Sequence, residues 1–391
     1  MSLMKHEGAS KGILFAAFAA LLILGGLPLY RHRRFTVPIV IGPGVTRVAR
    51  LSDFSPSLKG TAGDTTVFVL EGREPGGKAL IMSGTHSNEP AGLLADIIIV
   101  ENAVVERGTL FVIASFNSSA GRNTRPGDGY PLYFDILTDW GRKRFPMGNR
   151  DASPLDQWPD PDVYIHYPEK QLLSYIDARN SNRTWPGRAG GPLMERVTFA
   201  AMELIRREGV DVAIDLHGAE TMFPVTNCIV APERSLKIAT LASLTVKAAE
   251  GFDSHVEPSP PGFRGLSHRE IGDYSGAAPF LLEAPIPFLD QPTGPKTVGL
   301  LLDGKDPFLL SLAAKTKLFV PYDASGWPMD KRVGQHLSVM LEILRQYSRK
   351  TPGREIAVRG VPRYREVVAN GTGKYFHDPS KADPKSVVSY R

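Results

Sequence analysis

Cysteine is all but missing. Cys228 is the single one in 391 residues, so an intrachain disulfide, a cysteine-built metal site and a thiol redox pair are all excluded. Its place in the apolar run 227–230 reads as that of a buried, inert thiol. Also missing are a G-x-S-x-G elbow, a P-loop and a G-x-G-x-x-G following a strand, so the common signatures of serine hydrolases and nucleotide-binding folds are not there. No internal repeat is found. No element interleaves basic and aromatic residues, and nucleic-acid binding is not expected.

Apolar residues make up 42% and charged residues 22%, the usage of a chain that folds. The length suits one large α/β domain with appendages. The net charge of +5 is unevenly spread. Residues 1–35 carry a net +4 and residues 350–391 carry nine basic against four acidic groups, which leaves the middle slightly acidic. Positive ends of this kind suit a membrane surface.

Residues 12–29 hold no charge over 18 positions, about the minimum for a spanning helix. That length favours an uncleaved anchor over a cleaved signal peptide, and insertion by the usual N-terminal route puts the body outside the cytoplasm. Both flanks are positive, so orientation is poorly determined. The expected organisation is a membrane anchor or signal segment over 1–35, one large α/β domain over 36–349 and a basic tail over 350–391.

Alternation and β-branched runs predict strands at 65–70 and 78–83, joined as a hairpin through the turn-like 73–77. A helix over 90–105, with Pro90 in its first turn, and a strand over 109–116 follow. Residues 121–190, rich in Gly, Pro, Asp, Asn and Arg, read as a long structured excursion, and such loops are usually functional. Helices are predicted over 193–208, 235–250 and 334–348, and strands over 210–216 and 279–283.

His86-Ser87-Asn88-Glu89 occupies the turn between the strand 78–83 and the helix opened by Pro90, where both side chains can be aimed at one point. Two His and one carboxylate are a common zinc ligand set, with a fourth position left for water. Alone the motif is uninformative, because with nine histidines roughly half an H-x-x-E match is expected by chance. The strand 210–216 then runs into Asp215-Leu216-His217-Gly218, and the strand 279–283 ends on Glu283. Three apt groups thus close three strands at their carboxyl ends, where ligands gather in α/β sheets. One zinc ion held by His86, Glu89 and His217, with Glu283 as general base, is the reading that follows. Cations to steady an oxyanion and grip a substrate carboxylate are sought in the excursion: Arg122, Arg125 and the pair Asn182-Arg183. His166, His255 and His268 read as surface or loop histidines, Arg264 near His268 is an open alternative between a substrate contact and a solvated side chain, and Tyr274 has no role singled out.

The order H-x-x-E, N-x-x-A (117–120) with Arg after it, N-R-x-x-P-G (182–187), D-L-H-G (215–218) and a strand ending in Glu resembles the zinc carboxypeptidase superfamily, nearest its succinylglutamate desuccinylase/aspartoacylase branch. The resemblance runs from about residue 78 to 285. It implies a central mixed twisted β-sheet flanked by helices, here preceded by the apolar N-terminal helix. It also implies zinc on His86, Glu89 and His217, proton transfer by Glu283, oxyanion assistance by Arg125 and substrate-carboxylate binding by Asn182 and Arg183. Two departures stand out. The usual D-L-N-R reads Asn180-Ser181-Asn182-Arg183, and some fifty residues separate Arg125 from Arg183 where the family has few. The expected activity is cleavage of an amide bond beside a carboxylate in an N-acyl amino acid or small peptide. A carboxypeptidase acting on peptides or cell-wall stems, and an inactive membrane-anchored binding module, are the alternatives.

Overall fold

The computed structural model describes residues 2–125, 130–290 and 294–390. It is a mixed α/β structure. Helix α1 (Ser2–Arg34) carries the apolar run. Strands β1 (Arg47–Arg50), β2 (Thr66–Glu71) and β3 (Glu74–Ser83) lead to helix α2 (Pro90–Asn102) and strand β4 (Val104–Ile113). After the excursion come α3 (Leu193–Glu208), β5 (Val212–Ala219), β6 (Cys228–Ala231), α4 (Leu236–Glu250), β7 (His255–Pro258), α5 (Ser267–Tyr274) and β8 (Ala278–Pro285). The chain closes with α6 (Met329–Lys350), β9 (Ala357–Arg359) and α7 (Tyr364–Asn370).

Among the described residues one nine-stranded sheet runs in the order β7-β6-β8-β5-β3-β4-β2-β1, with β9 also on β4. The inner pairs β8/β5, β5/β3 and β3/β4 are parallel, while β6/β8, β4/β2 and β2/β1 are antiparallel. Strand β3 shows why the centre is parallel. Ala79 to Met82 is apolar without a break and fully buried, Ala79 and Ile81 toward one face and Leu80 and Met82 toward the other. Such a run needs helices over both faces. Helices α2 and α6 supply the first layer, and α3 the second.

The expected hairpin of 65–70 with 78–83 is not formed. Strand β4 lies between the two, antiparallel to β2 and parallel to β3, because a run buried on both faces is satisfied by parallel neighbours on both edges. The glycines taken as a turn are instead a seat for a later segment. A Cβ on Gly76 would meet the Glu355 carbonyl oxygen at 2.2 Å and one on Gly77 would meet that of Arg354 at 2.4 Å, and Gly77 N donates to Glu355 O at 3.0 Å.

The excursion contains two small hairpins, Tyr133–Thr138 with Gly141–Pro146 and Tyr164–Ile165 with Leu172–Leu173. Residues 126–129, inside that expected excursion, lie outside the described residues. The C-terminal stretch joins the body: α7 packs on α6, and Val387–Tyr390 pairs with Val37–Val40.

Candidate metal centre

Strand β3 delivers the first two residues of the site. Gly84, at φ 68°, turns the chain where a Cβ would sit 3.0 Å from Ser115 Cα. His86 and Glu89 follow in that turn, and Pro90 opens α2. Gly92 lets α2 approach β5, since a Cβ there would lie 2.7 Å from Leu216 O. Strand β5 carries His217 and the neighbouring β8 carries Glu283, paired in register. Both strands run two residues past these positions, so His217 and Glu283 project from strand interiors rather than from the last residues.

One ligand atom from each of His86, Glu89 and His217 falls within 4.8 Å of the others, and all three residues are buried. His86 Nδ1 is 2.7 Å from Glu89 Oε1, and His217 Nδ1 is 3.0 Å from Glu89 Oε2. The far ring nitrogens are held from behind. His86 Nε2 lies 3.0 Å from Asn180 Oδ1, which also accepts from Asn182 N, and His217 Nε2 lies 2.9 Å from Asp215 Oδ2. Asp215 in turn accepts from Thr85 Oγ1 and Ser267 Oγ. The His86 ring has an acceptor on either side, Asn180 Oδ1 behind and Glu89 Oε1 in front, and a neutral imidazole has one proton for the two; with that proton on Nε2 a bare Nδ1 faces the carboxylate, and His217 turns its Nδ1 to the same carboxylate. Lone pairs from three groups converge, and the arrangement asks for a cation.

The charges say the same. Burial lowers the His217 ring, but the carboxylates of Asp215 and Glu89 outweigh it and hold the ring well above its ordinary value. Burial and Arg150 push His86 down to about 4, against Glu89. Burial alone would raise Glu89, yet the two rings hold it below the usual carboxylate range. A proton on His217 thus plays the part a divalent ion would take. The donor set, two imidazole nitrogens and one carboxylate with a second carboxylate, that of Asp215, behind, fits zinc.

A cleft of about 700 Å³ opens over His86 and Glu89, with Gly218 next to His217 in its wall, lined on its polar side by Arg150, Asn182, Arg183, Glu220, His268 and Glu283 and on its apolar side by Met222, Phe223, Phe263 and Leu289. Burial pushes Glu283 up to about 8, with the His217 ring opposing and Glu89 adding to the rise, and its Oε2 has no hydrogen-bond partner among the described residues. Asn182 is fixed by accepting from Ser267 N at 2.8 Å. Arg183 lies over the Phe263 ring at 4.8 Å and donates to Asn182 O, and burial followed by Arg150 lowers it to about 10.

Of the arginines named from sequence, Arg122 and Arg125 do not line the cleft. Arg125 is exposed and stacks at 5.3 Å on Tyr130, while Arg122 borders a separate polar cavity with Arg50 and Asp64. The cation beside the ligand set is Arg150, with Nη1 3.7 Å from Glu89 Oε1. It is seated by the backbone: Ser87 N donates to Asn149 O, and Gly148 N to Ser87 O. A Cβ on Gly148 would come within 2.3 Å of Ser87 Cβ. Sequence reasoning missed Arg150, although Asn149-Arg150 repeats the dipeptide Asn182-Arg183. It missed Asn180 as well, which stands where the resemblance leads one to expect Asp.

The other histidines differ from expectation. His166 and His268 are buried rather than superficial. His166 Nε2 is 2.6 Å from Trp185 O, and His268 Nδ1 is 2.8 Å from Ser259 Oγ. Burial lowers His268 to about 3, so it is a neutral wall of the cleft. His255 is exposed beside Glu257. Arg264 is tied to Glu270 and Asp273 and Tyr274 OH donates to Glu169; neither lines the cleft.

No family model and no curated protein matches the chain. Solved structures do. An aspartoacylase family protein from Mesorhizobium loti shares 16% identity over 57% of this chain and 56% of that one, with a TM-score of 0.36. The product-bound cell shape determinant protein Csd4 from Helicobacter pylori shares 12% over 78% and 59%, with a TM-score of 0.44. A metallo-carboxypeptidase from Burkholderia cenocepacia shares 13% over 83% and 68%, with a TM-score of 0.44. The chain therefore spans less than two thirds of the length of the first two. These are the families that the motif order resembles, and at such TM-scores the case for a function rests on the residues of the cleft alone.

Proposed function

We propose that the protein is a zinc-dependent hydrolase that cleaves an amide bond next to a carboxylate, acting on an N-acyl amino acid or a small peptide. The observation that carries this reading is the convergence of His86 Nδ1, His217 Nδ1 and the Glu89 carboxylate at the floor of a cleft that also holds Glu283, Arg150 and Arg183. Bound there, a zinc ion supplies Lewis acidity where the reacting carbonyl would lie.

The chain's own groups account for the rest. Asn182 and Arg183 bind the substrate carboxylate and so orient the amide; a guanidinium half-sunk in apolar surroundings binds such a group more tightly than one in water. Glu283 accepts a proton from the attacking water as the carbon–oxygen bond forms. It then delivers that proton to the amide nitrogen as the carbon–nitrogen bond breaks, so the products are a carboxylic acid and an amine. A carboxyl raised by burial suits both halves of that exchange, and a nearby divalent charge would bring it back toward the working pH. Arg150 faces the same floor and steadies the negative charge that develops on the carbonyl oxygen. The apolar wall receives the remainder of the substrate.

The size of that wall favours a second reading within the same chemistry, a carboxypeptidase that accepts peptides longer than a single acylated residue. One structure of the Helicobacter pylori protein is described as tripeptide-bound. Zinc analysis of the purified protein, followed by turnover of N-acyl amino acids against peptides, tests both. A metal-free protein that turns over neither would leave only a binding module.

A further inference from the structure

We propose that the face carrying Leu155 and Trp158 rests in the headgroup layer of the same bilayer that α1 spans, so that the body is seated on the membrane rather than tethered to it. The helix is long and apolar enough to cross, with Ser10–Arg34 unburied over its apolar window. Its last turn is already part of the body. His32 is buried with Nε2 3.0 Å from Met147 O, Arg33 Nη2 lies 2.6 Å from Asp156 Oδ1, and the rings of His32 and Phe35 pack on Tyr133 at 5.5 and 5.0 Å.

That docking removes any linker. Tyr30 ends the apolar stretch two residues before His32, about 3 Å along a helix axis, so whatever flanks Asp156 sits at the depth where the helix leaves the hydrocarbon. Leu155 and Trp158 flank it, and they are 78% and 76% exposed. A large aromatic with one polar edge beside an exposed leucine is stable at that depth and costly in water. Arg31 and Arg34 at the end of the helix are exposed, Arg34 over the Tyr30 ring at 4.0 Å, positive groups at the depth of anionic headgroups. The occupant of this face is therefore lipid. The inference does not depend on the hydrolase reading, and activity is not its readout.

The test uses the full chain in lipid nanodiscs of phosphatidylcholine and phosphatidylglycerol. Cys228 is buried, so single cysteines from L21C, L155C, W158C and L244C can carry a fluorophore, and lipids brominated at different depths report where each one lies. Leu244 is exposed on α4, beside β6 and β7. Probes at 155 and 158 should be quenched several-fold more than the probe at 244, by shallow bromines best, while the probe at 21 responds to deep ones. In unlabelled protein, W158F should abolish the lipid-quenched share of tryptophan emission. Equal quenching at 155, 158 and 244 would overturn the proposal. So would shielding of 155 and 158 from aqueous iodide without lipid quenching, which marks a protein contact, or a probe at 21 that no lipid reaches.

Discussion

The imidazoles of His86 and His217 stand edge to face, ring centroids 4.8 Å apart and planes at 85°, with one oxygen of Glu89 against each Nδ1. Two rings so disposed against one buried carboxylate are at ease only with a positive charge between them and it.

Metal content is the first consequence. The purified protein should hold about one zinc per chain, and H86A, E89A or H217A should each lose it. Chelation should lower the melting temperature and zinc restore it; a ligand at a thousand times its dissociation constant contributes about 4 kcal/mol. Elemental analysis and melting curves read both.

Replacing the base should separate chemistry from metal binding. E283Q should cut kcat by about 10²- to 10⁴-fold while zinc content and KM stay near those of the parent. Loss of zinc in E283Q would instead make Glu283 a ligand.

Arg150 and Arg125 make opposite predictions. R150A should lower kcat by about 10²- to 10³-fold, the size expected for losing a donor to a developing oxyanion. R125A should leave kcat within about twofold, since an exposed arginine away from the cleft contributes little. Parallel steady-state kinetics on the two variants decide it.

Arg183 should act on binding. R183A should raise KM for a substrate with a free carboxylate by about tenfold or more, and the same substrate as its amide should bind parent and variant alike. An equal loss on both substrates would assign Arg183 a structural role.

Asp96, on α2 and fully buried, gives a pH signature. Burial raises its carboxyl well above the ordinary value, with Ser83 opposing and Asp215 adding. Folding therefore retains a proton that the unfolded chain releases, and stability falls as pH climbs from the ordinary carboxylate range toward the folded value. D96N removes that dependence. It should melt higher than the parent at pH 8, by about 2 °C or more, and the difference should vanish near pH 3.5.

Much of this was legible in the residues. The apolar runs at 79–82, 212–214 and 280–282 mark buried strands, Pro90 marks the start of α2, and His86, Glu89, His217 and Glu283 stand out because each follows or closes such a strand. The pairing of strands was not legible, because a hairpin and a parallel pair both fit runs joined by glycine, and only the C-terminal segment explains Gly76 and Gly77. Arg150 was hidden for a related reason: its position depends on backbone pairing between Ser87 and Asn149, which no local pattern records. The last forty residues likewise show no period, since they are placed by contact with β4, α6 and Val37–Val40.

Gly148 shows how far from the reacting groups such control can sit. A methyl group there would wedge against Ser87, so that tolerance to alanine at 148 becomes a measure of how tightly the loop bearing Arg150 must be seated. Chains of this architecture with a larger residue at that place should draw the charge from another loop, and a divergence in substrate preference could begin at an atom that no substrate ever meets.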